Sequence, residues 1–224
     1  MTFGEFDRPM FTELFGPLVG LDAEWRAQGA TEDEINMVAF NWDYVDRTFA
    51  GCHCGQRGRI AEPRVLEDTP TRRREIDGLG RTLELEKRSA TIPLPVAGWP
   101  VKTMDDWQRI KWMYEYHDDR IDEDQLREAR RQHDEEGKLT VTGIPGGFDL
   151  PRQLMGEEIC CLAYYEDPEM MHDIMATLTE TATRVLERAV KICPIDQLSV
   201  HEDFAGKSGP LVGPAQINEF IKPY

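Results

Sequence analysis

Leu198-Ser-Val-His-Glu-Asp-Phe-Ala-Gly-Lys-Ser-Gly-Pro-Leu211 is the stretch that decides the fold class. A short apolar run closes on Val200 and leads directly into His201, Glu202 and Asp203, followed by a loop that carries Gly206 and Gly209. A strand that empties into ionisable residues and a glycine-containing loop is the local pattern of a parallel α/β sheet. In such sheets the loops after the strand carboxyl ends build the active site. Were the strand to continue through them, Glu202 and Asp203 would point to opposite sides, so one faces the site and the other is free to cap the following turn.

On either side of this stretch the elements alternate. Lys138-Leu-Thr-Val-Thr-Gly-Ile144 has the β-branched content of a strand, and Asp149-Leu-Pro begins a helix running towards Tyr165. Asp167-Pro168-Glu169 joins an N-cap, a proline at the first helical position and an acidic first turn. An apolar face then follows through Met171, Ile174, Met175, Leu178, Ala182, Val185, Leu186, Ala189 and Val190. Ile195 to Val200 is the next strand, and Pro214 opens a helix that runs to Tyr224. Strand, helix, strand, helix predicts an α/β fold with parallel strands.

The first half is less regular. Leu21 to Gly29 reads as a helix closed by glycine, and Thr31 caps a second one. Val38 to Val45 is apolar and aromatic and reads as a buried strand, with Asp43 and Asp46 beside Tyr44 at its end. Asp77-Gly78, between Arg72-Arg-Arg-Glu-Ile76 and Arg81-Thr-Leu-Glu-Leu-Glu86, predicts a β-hairpin excursion from the main fold. Pro93, Pro95 and Pro100 keep the next stretch irregular or extended until Thr103 caps a helix. Residues 118–137 are so densely charged that they read as a solvated surface helix.

The 224 residues carry 42 acidic against 26 basic side chains, a formal net charge of −16. Such a chain repels phosphate backbones and anionic lipid at long range, which speaks against nucleic-acid and membrane partners. No apolar run approaches membrane-spanning length, and the first residues lack a leader pattern. The 5 cysteines are odd in number and scattered, so reduced thiols in the cytoplasm are expected.

Thr142-Gly-Ile-Pro-Gly-Gly-Phe-Asp-Leu-Pro-Arg-Gln-Leu-Met-Gly-Glu-Glu158 brings a strand end, exposed backbone N–H groups and a helix start to the same side as His201 to Asp203. It matches neither dinucleotide nor triphosphate loop patterns. Arg152 is suited to a substrate carboxylate or, equally, to an ion pair with Glu157 or Glu158. Cys52-His53-Cys54 offers soft ligands, but three adjacent residues cannot all point at one ion, and no second pair lies at zinc-finger spacing. Asp43 remains a candidate if its strand end faces the site.

In order along the chain, Pro100-Val-Lys-Thr-Met-Asp-Asp-Trp107, Gly146-Gly-Phe-Asp-Leu-Pro-Arg-Gln-Leu-Met-Gly-Glu-Glu158, Tyr165-Glu-Asp-Pro-Glu-Met-Met-His172 and Glu202-Asp-Phe-Ala-Gly-Lys-Ser-Gly-Pro-Leu-Val-Gly-Pro214 through Phe220-Ile-Lys-Pro-Tyr224 resemble the uroporphyrinogen decarboxylase superfamily. The resemblance covers roughly residues 20–224 and implies a (β/α)8 TIM barrel. It further implies one incomplete barrel domain over 1–224. Residues 1–100 would hold N-terminal helices, the first strand and the hairpin, and 101–224 the regular βα units. A whole barrel needs about 250 residues.

Two activities go with the resemblance: cofactor-free decarboxylation of the acetate side chains of uroporphyrinogen III, and methyl transfer from a corrinoid protein to a thiol. The arginine-rich N-terminal motif of the decarboxylases is absent, and Gln153 stands where they carry tyrosine. The chain therefore looks more like the methyltransferase-like branch. The catalytic candidates are then Asp203 and Glu202, with Asp43 added for its place at a strand end, and Arg152, Gln153, Phe148, His201 and Lys207 are the substrate-binding ones. No metal ligand falls within the chain. The zinc of that branch, with a corrinoid-bound methyl donor, would belong to a longer parent and be ligated beyond Tyr224. The partners implied are a small molecule or a corrinoid protein, and a second copy in a homodimer. A non-catalytic fragment or binding module is the contrasting expectation, against which a cooperative melt would count.

Overall fold

A computed structural model describes Arg8, residues 18–40, Asp43 and residues 45–224. Its centre is a three-stranded parallel sheet of β1 (Arg47–Phe49), β6 (Leu139–Ile144) and β7 (Gln197–Val200), in the order β1-β6-β7. Arg47 to Phe49 lie opposite Leu139 to Val141, and Val141 to Ile144 lie opposite Gln197 to Val200. The α/β class with parallel strands is therefore present. Among the described residues the sheet does not close into a barrel.

Between β1 and β6 the chain makes a four-stranded antiparallel sheet of β2 (Arg64–Asp68), β3 (Arg72–Ile76), β4 (Thr82–Glu86) and β5 (Leu94–Ala97). The expected hairpin is β3–β4. Its connection spans residues 77–81, longer than a two-residue turn, because the Asp77 carboxylate accepts from the N–H groups of Leu79 and Arg81. Of the two forms expected for 93–100, the extended one is present over Leu94–Ala97. Pro95 sits in β5, an outer strand, where its missing N–H costs no ladder bond.

Helices α1 (Leu21–Ala27) and α2 (Glu32–Ile35) precede the sheets, and Thr31 with Glu34 forms a reciprocal capping box. Val38–Phe40 forms a 3-10 turn rather than a buried strand, and Val38 and Phe40 are exposed. Asn41, Trp42 and Tyr44 lie outside the described residues, and the strand comes later, as β1.

Helix α3 (Met104–Ile110) starts on a capping box between Thr103 and Asp106. The charged run that follows is a 3-10 turn, Asp118–Arg120, and then α4 (Glu123–Glu136), which ends on Gly137 at φ 70°. The helix expected from Asp149 to Tyr165 is broken at Gly156, φ 81°, into α5 (Asp149–Met155) and α6 (Glu157–Glu166). An ideal Cβ on Gly156 would lie 3.0 Å from the Trp99 ring.

Helix α7 (Pro168–Ala189) buries Met170, Met171, Ile174, Met175, Leu178, Ala182, Val185 and Ala189. Val190 lies past its end and is exposed. The carboxyl half of α7 packs with α4 and with Ala50, Cys54 and Cys193 in one core cluster, and its amino half packs with α3, α5 and α6 in another. After β7 come β8 (Ala205–Gly206), β9 (Gly209–Pro210) and α8 (Pro214–Gln216), which passes into a π-helical turn at Ile217–Ile221. None of the described helices is long and apolar enough to cross a membrane.

Asp196 ties the entry of β7 to β6. Its carboxylate accepts from the Thr140 N–H and hydroxyl, both at 2.8 Å, and these bonds hold its pKa below the ordinary value. A depressed carboxyl stabilises the fold above its unfolded pKa, and that stability is lost as pH falls through the folded value. Asp196→Asn is therefore expected to cost about 1–2 kcal/mol at pH 7. In urea titrations the difference from wild type should shrink towards pH 3, and a difference that stays constant with pH would contradict the assignment.

Candidate functional site

Parallel register brings the carboxyl ends of β6 and β7 side by side. Beyond them Pro145-Gly146-Gly147-Phe148 leads into α5, and His201 to Phe204 leads towards β8. The two crossings pack closely: an ideal Cβ on Gly146 would lie 2.2 Å from the His201 carbonyl oxygen and 2.7 Å from the Glu202 carboxyl carbon. Only glycine permits that approach.

β7 ends at Val200, so Glu202 and Asp203 both belong to the loop and do not alternate across a strand. The Glu202 carboxylate accepts from the backbone N–H groups of Gly147, Phe148 (3.2 Å) and Asp149 (2.9 Å). It thus caps the start of α5, which Phe148 does not cap with its own side chain. The cap lies 53 residues away in sequence rather than in the following turn.

Asp203 pairs with the Arg152 guanidinium, which also bonds Asp149 at 2.5 Å. Neither Glu157 nor Glu158 pairs with Arg152. The His201 ring stands between the same two acids, Nδ1 3.3 Å from Asp149 and Nε2 3.8 Å from Asp203. It is 75% exposed, whereas Asp149 is 15% exposed. Two loop residues, His201 and Asp203, and two residues of α5, Asp149 and Arg152, thus form a single connected polar group. Asp149 is the member that sequence reasoning missed, although its place three residues before Arg152, one helical turn away, is a signal that the sequence carries.

The other candidates lie elsewhere. Phe148 is fully buried and stacks on Phe204 with ring centroids 5.7 Å apart, so it supports the floor of the site. Gln153 faces away: its carbonyl and side-chain oxygens both accept from Arg81, at 2.8 Å, at the foot of the antiparallel sheet. Lys207 is exposed in the turn between β8 and β9, with no partner among the described residues. Asp43 precedes the amino end of β1, the opposite end from the site, and pairs with Arg8 at 2.6 Å. It is not among the residues that meet at the carboxyl ends of β6 and β7.

Asp149, His201 and Asp203 each offer a ligand atom, all within 4.8 Å of one another. The zinc that activates a thiol in the methyltransferase-like branch does not fit them, because the Arg152 cation already occupies the two carboxylates and no thiolate is present. Cys52-His53-Cys54 does not fit either. The Cys52 thiol lies 3.4 Å from the Thr142 hydroxyl, His53 Nδ1 accepts from the Gly55 N–H, and Cys54 is buried. Burial raises the Cys52 pKa and lowers that of His53, and it pushes the Cys54 thiol up to about 12, with Cys52 adding to the shift.

Thiols so placed are poor nucleophiles at neutral pH. With iodoacetamide at pH 7.5 the buried Cys54, Cys160 and Cys193 are expected to label at least about 100-fold more slowly in the folded protein than in urea, as opening limits access. Rapid native labelling of Cys54, read by mass spectrometry, would refute this. Comparison of the chain with protein-family models, with characterised proteins and with solved structures yields no match.

Proposed function

We propose that β1, β6 and β7 are consecutive strands of a (β/α)8 barrel of the uroporphyrinogen decarboxylase type, and that the enzyme they belong to transfers a methyl group from a corrinoid protein to a thiol. The observation that carries this reading is the meeting of Asp149, Arg152, His201 and Asp203 at the carboxyl ends of two adjacent parallel strands. Barrel enzymes assemble their sites there. The spatial order of the strands follows chain order, and helices α4 and α7 lie over one face, as in successive barrel units.

Methyl transfer to a thiol forms a C–S bond and breaks two others: the Co–C bond of the donor, whose electron pair stays with the corrinoid, and the S–H bond, which releases one proton. His201 is the accessible base at the strand ends, with its Nδ1 3.3 Å from the Asp149 carboxylate. Arg152 holds Asp149 and Asp203 on either side of that ring. No step of this proposal runs through zinc. With Asp149, Glu202 and Asp203 against Arg152, the site carries more negative than positive charge, which favours a neutral thiol over the acetate side chains of uroporphyrinogen.

The test is thioether formation from methylcobalamin and coenzyme M by the complete gene product, with metal analysis alongside. Turnover is expected, and His201→Gln should reduce it about 100-fold or more. Absence of turnover by the wild type would remove the reading. Decarboxylated product from uroporphyrinogen III, without thioether, would replace it with the decarboxylase.

A further inference from the structure

Helices α1 and α2 and the turn Val38–Phe40 frame a pocket of about 360 Å³. Its lining is Trp25, Ala30, Met37 and Phe40, with Glu34 as the one ionisable side chain, and no residue of the strand-end site takes part. Gly29, at φ 97°, turns the chain after α1 so that the Ala30 N–H bonds the Trp25 carbonyl oxygen at 2.9 Å. Met37 turns it again after α2. It is the one non-glycine residue with positive φ among the described residues, at 65°, and the Phe40 N–H reaches back to its carbonyl oxygen at 3.2 Å. A left-handed backbone at a residue with a side chain persists only where its surroundings hold it, and such positions gather at ligand sites.

Glu34 gives the pocket its sign. Its Oε2 accepts from the Thr31 N–H at 2.7 Å and the Thr31 hydroxyl at 2.9 Å, which leaves Oε1 without a partner among the described residues. Those bonds hold its pKa below the ordinary glutamate value, so it is ionised at neutral pH. Arg26, the only base in residues 18–40 against five acids, is held by Asp22 and Glu32 and does not pair with it. A half-buried carboxylate in an apolar wall is complemented by a cation, and the wall limits which one. A hard metal ion or a primary ammonium needs several acceptors, whereas the lining side chains supply one carboxylate. A quaternary ammonium needs none: its methyl groups form an apolar shell, and its charge is attracted to indole and phenyl rings. We propose that this pocket binds a quaternary ammonium group, free in a small molecule or carried on a trimethylated lysine. The proposal stands apart from the reading of the strand-end site.

Titration calorimetry of the full chain with choline tests it, beside 3,3-dimethylbutan-1-ol, the neutral molecule of the same shape, with circular dichroism to check that each variant folds. Choline is expected to bind at least about tenfold more tightly than the alcohol. Trp25→Leu keeps apolar bulk without the indole, and Glu34→Gln keeps the capping box without the charge, and each should weaken choline binding about tenfold. A peptide carrying trimethyllysine identifies the source: binding tighter than that of choline assigns the pocket to a modified protein, and weaker binding assigns it to a free small molecule. No binding of either cation, equal binding of choline and the alcohol, or binding indifferent to either variant would each overturn the proposal.

Discussion

Glu202→Ala is expected to cost about 3 kcal/mol and to loosen the junction of β6 and β7 before the rest of the protein. In wild type one carboxylate serves three N–H donors at the start of α5, from Gly147, Phe148 and Asp149. Hydrogen bonds to a charged acceptor contribute roughly 1.5–3 kcal/mol each, and the helix start adds its own attraction for negative charge. Three such bonds would suggest more than 3 kcal/mol, but Glu202 is only half-buried, so water replaces part of what is lost. Glu202→Gln keeps the shape and one acceptor without the charge, and should cost about half as much. Urea denaturation gives the loss. Hydrogen exchange gives its location, since the amides of Gly147, Phe148 and Asp149 should lose protection ahead of those in α7. A loss under about 1 kcal/mol, or unchanged protection at those three amides, would mean that the carboxylate is not the cap it resembles. Because Glu202 is occupied as a brace, Asp203 and His201 are the loop residues left for chemistry.

How much of this was legible in the sequence depends on the reach of each interaction. The start of α7 was legible because Asp167 and Pro168 act within one turn, and its face was legible because Met171, Ile174, Met175 and Leu178 follow the helical period. The β3–β4 hairpin was marked by Asp77-Gly78, although the Asp77 side chain makes the connection longer than that pair alone implies. The strand-end site was legible as a place but not as an arrangement. Nothing within a few residues of Glu202 says that its partners are amides on α5, so it read as a catalytic acid or a local cap. Val38 to Phe40 misled because apolar content alone does not separate a strand from a turn, and among the described residues no strand pairs with it. The same short range of reading hid Arg120, which sits in a run of charges that seemed to belong wholly to solvent.

Arg120→Met is expected to be at least as damaging, for the opposite reason: here the cation serves the backbone. Arg120 is 2% exposed, and its guanidinium donates to the carbonyl oxygens of Glu115 (2.9 Å), His53 (3.2 Å), Gly55 (2.8 Å) and Met113 (2.8 Å). The neighbouring acid, Asp119, is engaged by Arg57 at 2.6 Å, so Arg120 does not depend on a carboxylate. Burial lowers its pKa, but a guanidinium starts so high that it stays charged throughout the working range. Its planar fork reaches two loops at once, the one after β1 and the one after α3, and so closes the Cys52-His53-Cys54 segment against the core. Methionine would leave the Glu115, His53 and Gly55 carbonyls without this donor, while Met113 keeps the Arg57 N–H, at a cost of about 3 kcal/mol or more. Lysine, with a compact ammonium, cannot span four acceptors spread over both loops and should rescue little. A thiol supplies the second readout. Cys54 is held buried by this closure, so its iodoacetamide labelling in Arg120→Met should accelerate at least about tenfold under native conditions, beyond that of Cys160 in α6. Equal acceleration at both cysteines would indicate a global loss of stability, and unchanged labelling with a loss below about 1 kcal/mol would show that the loops hold without the arginine.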